Sequence, residues 1–465
     1  MKFFFSRLKD TQIIMLGFFI TILIGAFLLM LPLSSASGQW TGFIDAFFTS
    51  TSAVCITGLA VLPTAEHWST IGQCIILALI QIGGLGFMSI VTIIFVAVRK
   101  RITLRERSVI REALNINQHG GVVNFAKYIV KFTLVVEFIG AFILSIRFIP
   151  EFGLKSGIYK GIFHSISAFC NAGFDVIGNR SLMDYSNDFV INIVIMLLII
   201  IGGLGFPVAQ DMIEMFYHIF VKKYSFKFSF GRLKLQSKIA LITTIILIVS
   251  GALAIFIFEY NNIKTLGSMN IYGKVISSFF QSVTLRTAGF CSIDQGAMNY
   301  SSKLISSVLM FVGGSPAGTA GGAKTVTMAI LFFAVFSLIK GKDEINAYNR
   351  TIGFDMLQKA LSVVIMMLTV IVISVVVLSI TETSLLVANG GKFEILDVFY
   401  ETVSAICTVG VTTGVTPLLS SAGKIVIIIC MYIGRIGPIT LAISLSGKGI
   451  NKNSIHYPEG NVIVG

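Results

Sequence analysis

Ser52-Ala-Val-Cys-Ile-Thr-Gly58-Leu59 is the stretch that decides the fold, because it returns three times in altered form. Ser167-Ala-Phe-Cys-Asn-Ala-Gly173-Phe174, Ser282-Val-Thr-Leu-Arg-Thr-Ala-Gly289-Phe290 and Ser404-Ala-Ile-Cys-Thr-Val-Gly410-Val411 each end on one glycine, and those glycines lie 115, 116 and 121 residues apart. The period is close to a quarter of the 465 residues, so the chain reads as four diverged copies of one unit.

The four turns sit in a chain built for lipid. Its residues are 55% hydrophobic and 12% charged, with a mean hydropathy of +0.88, where a soluble domain carries roughly 25% charged residues. A water-soluble globular protein is excluded. Uncharged runs cover 11–44, 71–98, 189–210, 239–258 and 360–380. Three more, at 126–149, 304–339 and 425–445, are interrupted by isolated charges that include Glu137, Arg147, Lys324 and Arg435. Most reach the ~20 residues that span hydrocarbon. Eight crossings put both termini on one side, and the first run, too long for a signal peptide, reads as a retained span.

Lys and Arg number 21 on the side of the termini and about 8 on the other, which makes that side cytoplasmic. The net charge of +13 therefore reports topology. The six cysteines form no CxxC pair, and Cys74 and Cys430, lying in apolar runs, read as buried reduced thiols.

Between outgoing and returning spans lie shorter half-apolar stretches, at 42–55, 160–170, 273–285 and 394–407. Segments of ~10–14 apolar residues are more often re-entrant than spanning, and irregular backbone at membrane depth survives only when buried or lining a water-filled cavity. The expected fold is an all-α polytopic membrane protein with eight transmembrane helices, as four span/half-helix/span repeats with pseudo-fourfold symmetry around a central pore. The boundaries expected are 1–105, 106–222, 223–342 and 343–446, with a tail at 447–465.

A cation crossing hydrocarbon needs its lost hydration replaced, and a ring of backbone carbonyls from four loops can do that. Glycine at the end of each turn permits φ > 0. The candidate filter is Ile56, Thr57 and Gly58; Asn171, Ala172 and Gly173; Thr287, Ala288 and Gly289; and Thr408, Val409 and Gly410, with potassium held by carbonyls alone. Half-helices whose partly negative C-terminal ends face the membrane centre favour a cation. The motif holds no acidic ring, which argues for a monovalent one.

These turns resemble the Ktr/Trk/HKT superfamily of potassium translocation proteins, specifically the KtrB-type subunit. The resemblance rests on Thr-Gly-Leu at 57–59, Asn-Ala-Gly-Phe at 171–174, Arg-Thr-Ala-Gly-Phe at 286–290, Thr-Val-Gly at 408–410 and a glycine-rich break in the third copy. It implies potassium uptake across the bacterial cell membrane, often with sodium as activator, by a homodimer whose subunits each hold a pore. It also implies a separate cytoplasmic KtrA-type ring of RCK subunits that carries the nucleotide, and a C-terminal tail at the dimer contact. No covalent cofactor and no nucleic acid is expected.

The resemblance makes Gly313, Gly314, Ser315, Pro316, Ala317, Gly318, Thr319, Ala320, Gly321, Gly322, Ala323 and Lys324 an intramembrane gate, with Arg435 as its latch. From Gly318 this stretch nearly matches GxxxxGK[ST], but Ala323 replaces the second glycine and no strand precedes it. Arg286 is read as bracing its loop through Glu401 or Asp397, and Glu137 as a structural pair or a group near the inner interface. The glycine signatures at 82–87, 201–206 and 433–437 read equally well as close helix packing.

An enzyme would need a convergent catalytic set, and neither HExxH nor GxSxG occurs. Rivals within transport are a Trk-type potassium or sodium/potassium transporter with another regulator, and an alternating-access carrier, whose inverted repeats fit poorly with four copies of one polarity.

Overall fold

The computed structural model describes residues 9–97, 103–114, 121–178, 180–383 and 394–445. In the first copy α1 (Asp10–Met30) is a long apolar helix, α2 (Phe43–Val54) a half-helix, and the return runs through α3 (Thr70–Leu85) and α4 (Phe87–Ala97). After α5 (Leu104–Leu114) the second copy repeats the order with α6 (Val122–Phe152), α7 (Leu154–Phe169), α8 (Phe189–Gly203) and α9 (Phe206–Phe220).

A short α10 (Phe226–Gly231) leads to the third copy, α11 (Leu235–Glu259), α12 (Ile271–Thr284), α13 (Tyr300–Val312) and α14 (Thr325–Ile339). A small antiparallel hairpin, β1 (Ile345–Ala347) and β2 (Arg350–Ile352), precedes the fourth copy, α15 (Phe354–Thr381), α16 (Ile395–Ile406), α17 (Ser421–Ile436) and α18 (Pro438–Leu445). The chain is an all-α polytopic membrane protein, with one surface hairpin among the described residues. Exposed Phe138, Ile257 and Ile380 belong to the apolar outer face of its long helices, which only hydrocarbon can cover.

Eight crossings were the expectation, with a glycine-rich break in the third return alone, and the structure adds a break to each of the other three returns. Among the described residues only α1, α6, α11 and α15 are long and apolar enough to cross alone, and α8 and α9 meet at 107°. Every returning span is split. Gly86, Gly205 and Gly437 stand at the break with φ of 77°, 91° and 89°, a region where a side chain strains the backbone.

Counted from the helix N-caps Ser69, Asp188 and Ser420, each breaking glycine is the 17th residue on. In the third copy the equivalent break is Lys324, with φ 81° and ψ 136°, and it stands 25 residues after the N-cap Asn299. The third return thus holds eight extra residues. Their neck is closed by backbone, since Ala323 and Lys324 N–H donate to Phe311 and Val312 C=O at 2.9 and 3.0 Å.

Half-helices pack on outgoing helices through serine and glycine. Ser50, Ser165 and Ser282 donate to the Ile22, Glu137 and Ile248 carbonyls at 2.7, 2.6 and 2.8 Å. A methyl on Gly25, Gly140 or Gly251 would collide with those same hydroxyls. Cys74, expected to be buried, is exposed on α3, because an apolar run that spans a membrane turns one side to lipid rather than to a core.

Candidate functional site

The four glycine turns meet. A methyl added to Gly58 would lie 2.4 Å from the Ala172 carbonyl oxygen, one on Gly173 2.6 Å from that of Ala288, one on Gly289 2.8 Å from that of Val409, and one on Gly410 1.9 Å from that of Thr57. Each glycine abuts the carbonyl of the next copy, and the fourth returns to the first. The contacts close a ring with no room for a side chain at any of the four positions.

Backbone sign changes aim the carbonyls. Ile56, Asn171, Thr287 and Thr408 have φ of 51°, 58°, 76° and 50°, and the glycines two residues later have φ of 90°, 70°, 85° and 93°. The residue between each pair is not among the positive-φ residues. Such alternation departs from a strand, in which successive groups point to opposite faces, and turns successive oxygens to one side. The half-helices α2, α7, α12 and α16 end against these turns, so the partial negative charge of their last carbonyls faces the same axis.

Hydroxyls fix the turns. Ser52 and Ser404 Oγ accept the Gly58 and Gly410 N–H at 3.0 and 3.1 Å, whereas Ser167 Oγ and Thr284 Oγ1 donate to the Phe174 and Phe290 carbonyls, both at 2.7 Å. The third copy is thereby realigned. Thr284, rather than Ser282, occupies the place of Ser52, and the third turn is one residue shorter than its siblings. Cys55, Cys170 and Cys407 are buried just before the left-handed residue, where the third copy carries Arg286.

Arg286 does not reach the acids expected for it. Its guanidinium donates to the Gly313 carbonyl at 3.3 Å and to Thr244 Oγ1 at 3.1 Å. Glu401 instead accepts the Thr413 N–H at 3.1 Å and the hydroxyls of Thr416, at 2.9 Å, and Thr412, anchoring the irregular segment beyond the fourth turn. Asp397 pairs with Lys303 at 2.8 Å.

The reason lies in helix packing. In the other copies Gly83, Gly202 and Gly434 press against the Val54, Phe169 and Ile406 carbonyls, where a methyl would lie 2.1, 1.9 and 1.9 Å away. The close-packing reading therefore holds for those three glycine signatures. In the third copy the guanidinium spans from its half-helix to the start of the 313–324 loop.

Glu137, read as a structural pair or a group near the inner interface, lies behind the second turn. Gln81 Nε2 donates to its carboxyl at 3.0 Å and Cys170 Sγ approaches the other oxygen at 3.7 Å.

The 313–324 stretch crosses beneath the ring and touches the second and fourth copies. Ser315 and Thr319 N–H donate to the Gly203 and Gly202 carbonyls at 2.9 and 3.2 Å, and Phe206 N–H donates to Ala317 O at 3.0 Å. Thr319 Oγ1 donates to Phe169 O at 3.2 Å, and Gly321 N–H donates to Thr287 Oγ1 of the ring at 3.1 Å. Gly321 also abuts Cys407 and Thr408; Gly314, Gly318 and Gly322 fill spaces too tight for a Cβ, and the Pro316 carbonyl abuts Gly205. Arg435 donates to Thr319 O at 2.9 Å and to Gly83 O, tying the loop to the first and fourth copies, and Lys324 Nζ donates to Ala320 O.

Cavities lie on both sides. The outer one, about 300 Å³, has the four ring glycines at its base and is walled in part by Asp175, Asp294 and Gln295. The inner one, about 250 Å³, is bounded by Ala317, Gly318, Lys324 and Arg435. Outer cavity, carbonyl ring, cross-loop and inner cavity follow one another, an order suited to stripping water from a cation and controlling its exit.

The sequence reading missed the clamps between copies. Four residues after each return N-cap stand Gln73, Asn192, Lys303 and Lys424. Lys303 reaches Asp397 of the next half-helix at 2.8 Å, Lys424 reaches Asp45 at 2.7 Å, and Gln73 Oε1 accepts from Tyr159 at 2.8 Å. Asn192 turns back to the Tyr185 carbonyl at 2.7 Å. Aligning the copies on their helix starts would have exposed this polar position.

The chain is 44% identical to the potassium/sodium uptake protein NtpJ of Enterococcus hirae, over 99% of this chain and 98% of that one. It is 40% identical to the Ktr system potassium uptake protein B of Bacillus subtilis, over 99% and 97%, and 36% identical to the protein of that name from Vibrio alginolyticus, over 98% and 95%. The crystal structure of the potassium transporter TrkH from Vibrio parahaemolyticus shares the fold, with a TM-score of 0.66 at 18% identity over 93% of this chain and 85% of that chain. The family model described as TrkH, cation transport protein, matches residues 4–453. With four copies around one ring and full-length relatives at this identity, the chain belongs to the TrkH family of cation transport proteins, a family of transporters and not of enzymes.

Proposed function

We propose that the protein takes up potassium across the bacterial cell membrane through the ring formed at Gly58, Gly173, Gly289 and Gly410. The observation that carries this reading is the closed contact order of the ring, in which each glycine abuts the carbonyl of the following copy. Four carbonyl-bearing turns around one axis, with half-helix C-termini aimed at it, suit a dehydrated monovalent cation. The potassium named for the Enterococcus and Bacillus relatives agrees with that chemistry. The relative named for potassium and sodium supports sodium as a second cation, acting as activator or as cargo.

In this reading the 313–324 loop is the gate and Arg435 its latch. The loop needs eight extra residues that the other copies do without, and it lies across the route between the two cavities. A homodimer and a cytoplasmic nucleotide-binding RCK ring complete the proposed assembly, with both termini cytoplasmic. The 447–465 tail expected at the dimer contact lies outside the described residues.

The test is potassium-dependent growth of an uptake-deficient host expressing the wild type or Gly289→Ser. The substitution is expected to lower the preference for potassium over sodium, because φ of 85° and a Cβ 2.8 Å from Val409 O both disturb the ring. Equal growth and equal preference at matched expression would remove the third turn from the filter.

A further inference from the structure

The residue two places beyond each ring glycine stands at the outer rim, and these residues are Ala60, Asp175, Cys291 and Thr412. All four wall the outer cavity. One of them is acidic. Its carboxyl accepts hydrogen bonds from the Ser181 hydroxyl and from the Ile177 and Gly178 N–H groups.

The Asp175 loop is fixed by its neighbour. Ser181, at φ 52°, accepts the Cys291 N–H at 3.2 Å, and Leu182 N–H donates to Cys291 O at 3.1 Å. The rim of the second copy is thereby stitched to that of the third.

Other charges nearby leave the carboxylate its field. Lys160 on α7 is the cation that acts on it, and its ammonium rests on the Phe152 ring at 3.7 Å from the centroid. Arg180 is engaged by Asp184 at 3.2 Å. Asp294, on the third copy's rim, accepts the Gly296 N–H at 2.9 Å. Glu401 is turned to the fourth copy's threonines, and the Cys291 thiol and the Tyr400 hydroxyl, which donates to Gln295, lie on this side as well.

We propose that Asp175 is the outer capture residue of the conduit, a carboxylate that concentrates monovalent cations above the carbonyl ring. This rests on the filter reading above. A single negative charge in a narrow low-dielectric mouth raises the local cation concentration, while the ring beneath does the choosing.

The experiment is tracer uptake against potassium concentration by the full-length protein in an uptake-deficient host. Asp175→Asn is expected to raise the half-saturating concentration roughly three- to tenfold, with the maximal rate changed less than twofold and potassium over sodium preference kept. Added choline chloride should shrink the difference by weakening the wild-type affinity. Asp175→Glu should retain most of the wild-type affinity.

An unchanged half-saturating concentration in Asp175→Asn overturns the proposal, as does a loss confined to the maximal rate. Should Asp175→Asn fail to accumulate, a wild-type half-saturation that added choline chloride leaves unchanged overturns it alone. Failure of the filter reading shows differently, as intact cation preference in the ring-glycine variants.

Discussion

Replacing Gly410 by alanine tests the ring where it is tightest. The new Cβ would sit 1.9 Å from Thr57 O, and since such contacts are essentially never under 3.0 Å, that oxygen must retreat by about 1.1 Å. Gly410 also has φ of 93°, where a side chain costs about 1–2 kcal/mol, and overpacking a filled site adds about 1–3 kcal/mol. Even the lower ends sum to about 2 kcal/mol, roughly thirtyfold in the share of molecules with all four carbonyls in place.

The same measure ranks the ring. Nearest-oxygen distances of 1.9, 2.4, 2.6 and 2.8 Å for Gly410, Gly58, Gly173 and Gly289 predict loss of potassium selectivity in that order on alanine substitution. Competition uptake of labelled potassium against sodium, normalised to membrane protein, measures it. Wild-type selectivity in Gly410→Ala, or a reversed order across the series, would refute the claim that these carbonyls form the narrow passage.

The clamps between copies should differ in weight. Lys303 and Asp397 are 7% and 6% exposed, against 18% and 28% for Lys424 and Asp45. Asp397→Asn should therefore cost about 3–5 kcal/mol and Asp45→Asn about 1 kcal/mol, read as thermal unfolding in detergent. Lys303→Met with Asp397→Leu should regain much of the loss, and equal shifts at the two clamps would contradict the burial argument. Arg435→Ala removes a charged donor to Thr319 O and Gly83 O, each such bond being worth about 1.5–3 kcal/mol. Rubidium flux into proteoliposomes should rise about tenfold, with Arg435→Lys between, and an unchanged flux would deny the latch.

Much of this was legible in the residues. The four glycine turns, their quarter-chain spacing and the long apolar runs follow from rules that act locally, on hydropathy and on backbone freedom. The breaks at Gly86, Gly205 and Gly437 were hidden because a glycine inside an apolar run reads alike as packing and as a kink, and only φ separates the two. Ser282 was matched to Ser52 because the eye aligns identical letters, while the helix aligns rows. Partners of Arg286 and Glu137 are set by contacts among elements distant in sequence, and no pattern along the chain reports those.

The closed neck at Phe311, Val312, Ala323 and Lys324 makes the cross-loop a detachable cassette. An octapeptide has been spliced into an otherwise common hinge, and the splice is sealed by its own main chain, so the flanking helices meet much as their three siblings do. Lys324 still occupies the hinge's handed corner, where every sibling keeps glycine. The neck thus keeps the junction of the flanking helices independent of the loop's interior, while the loop's own glycines stay fitted to the neighbouring copies.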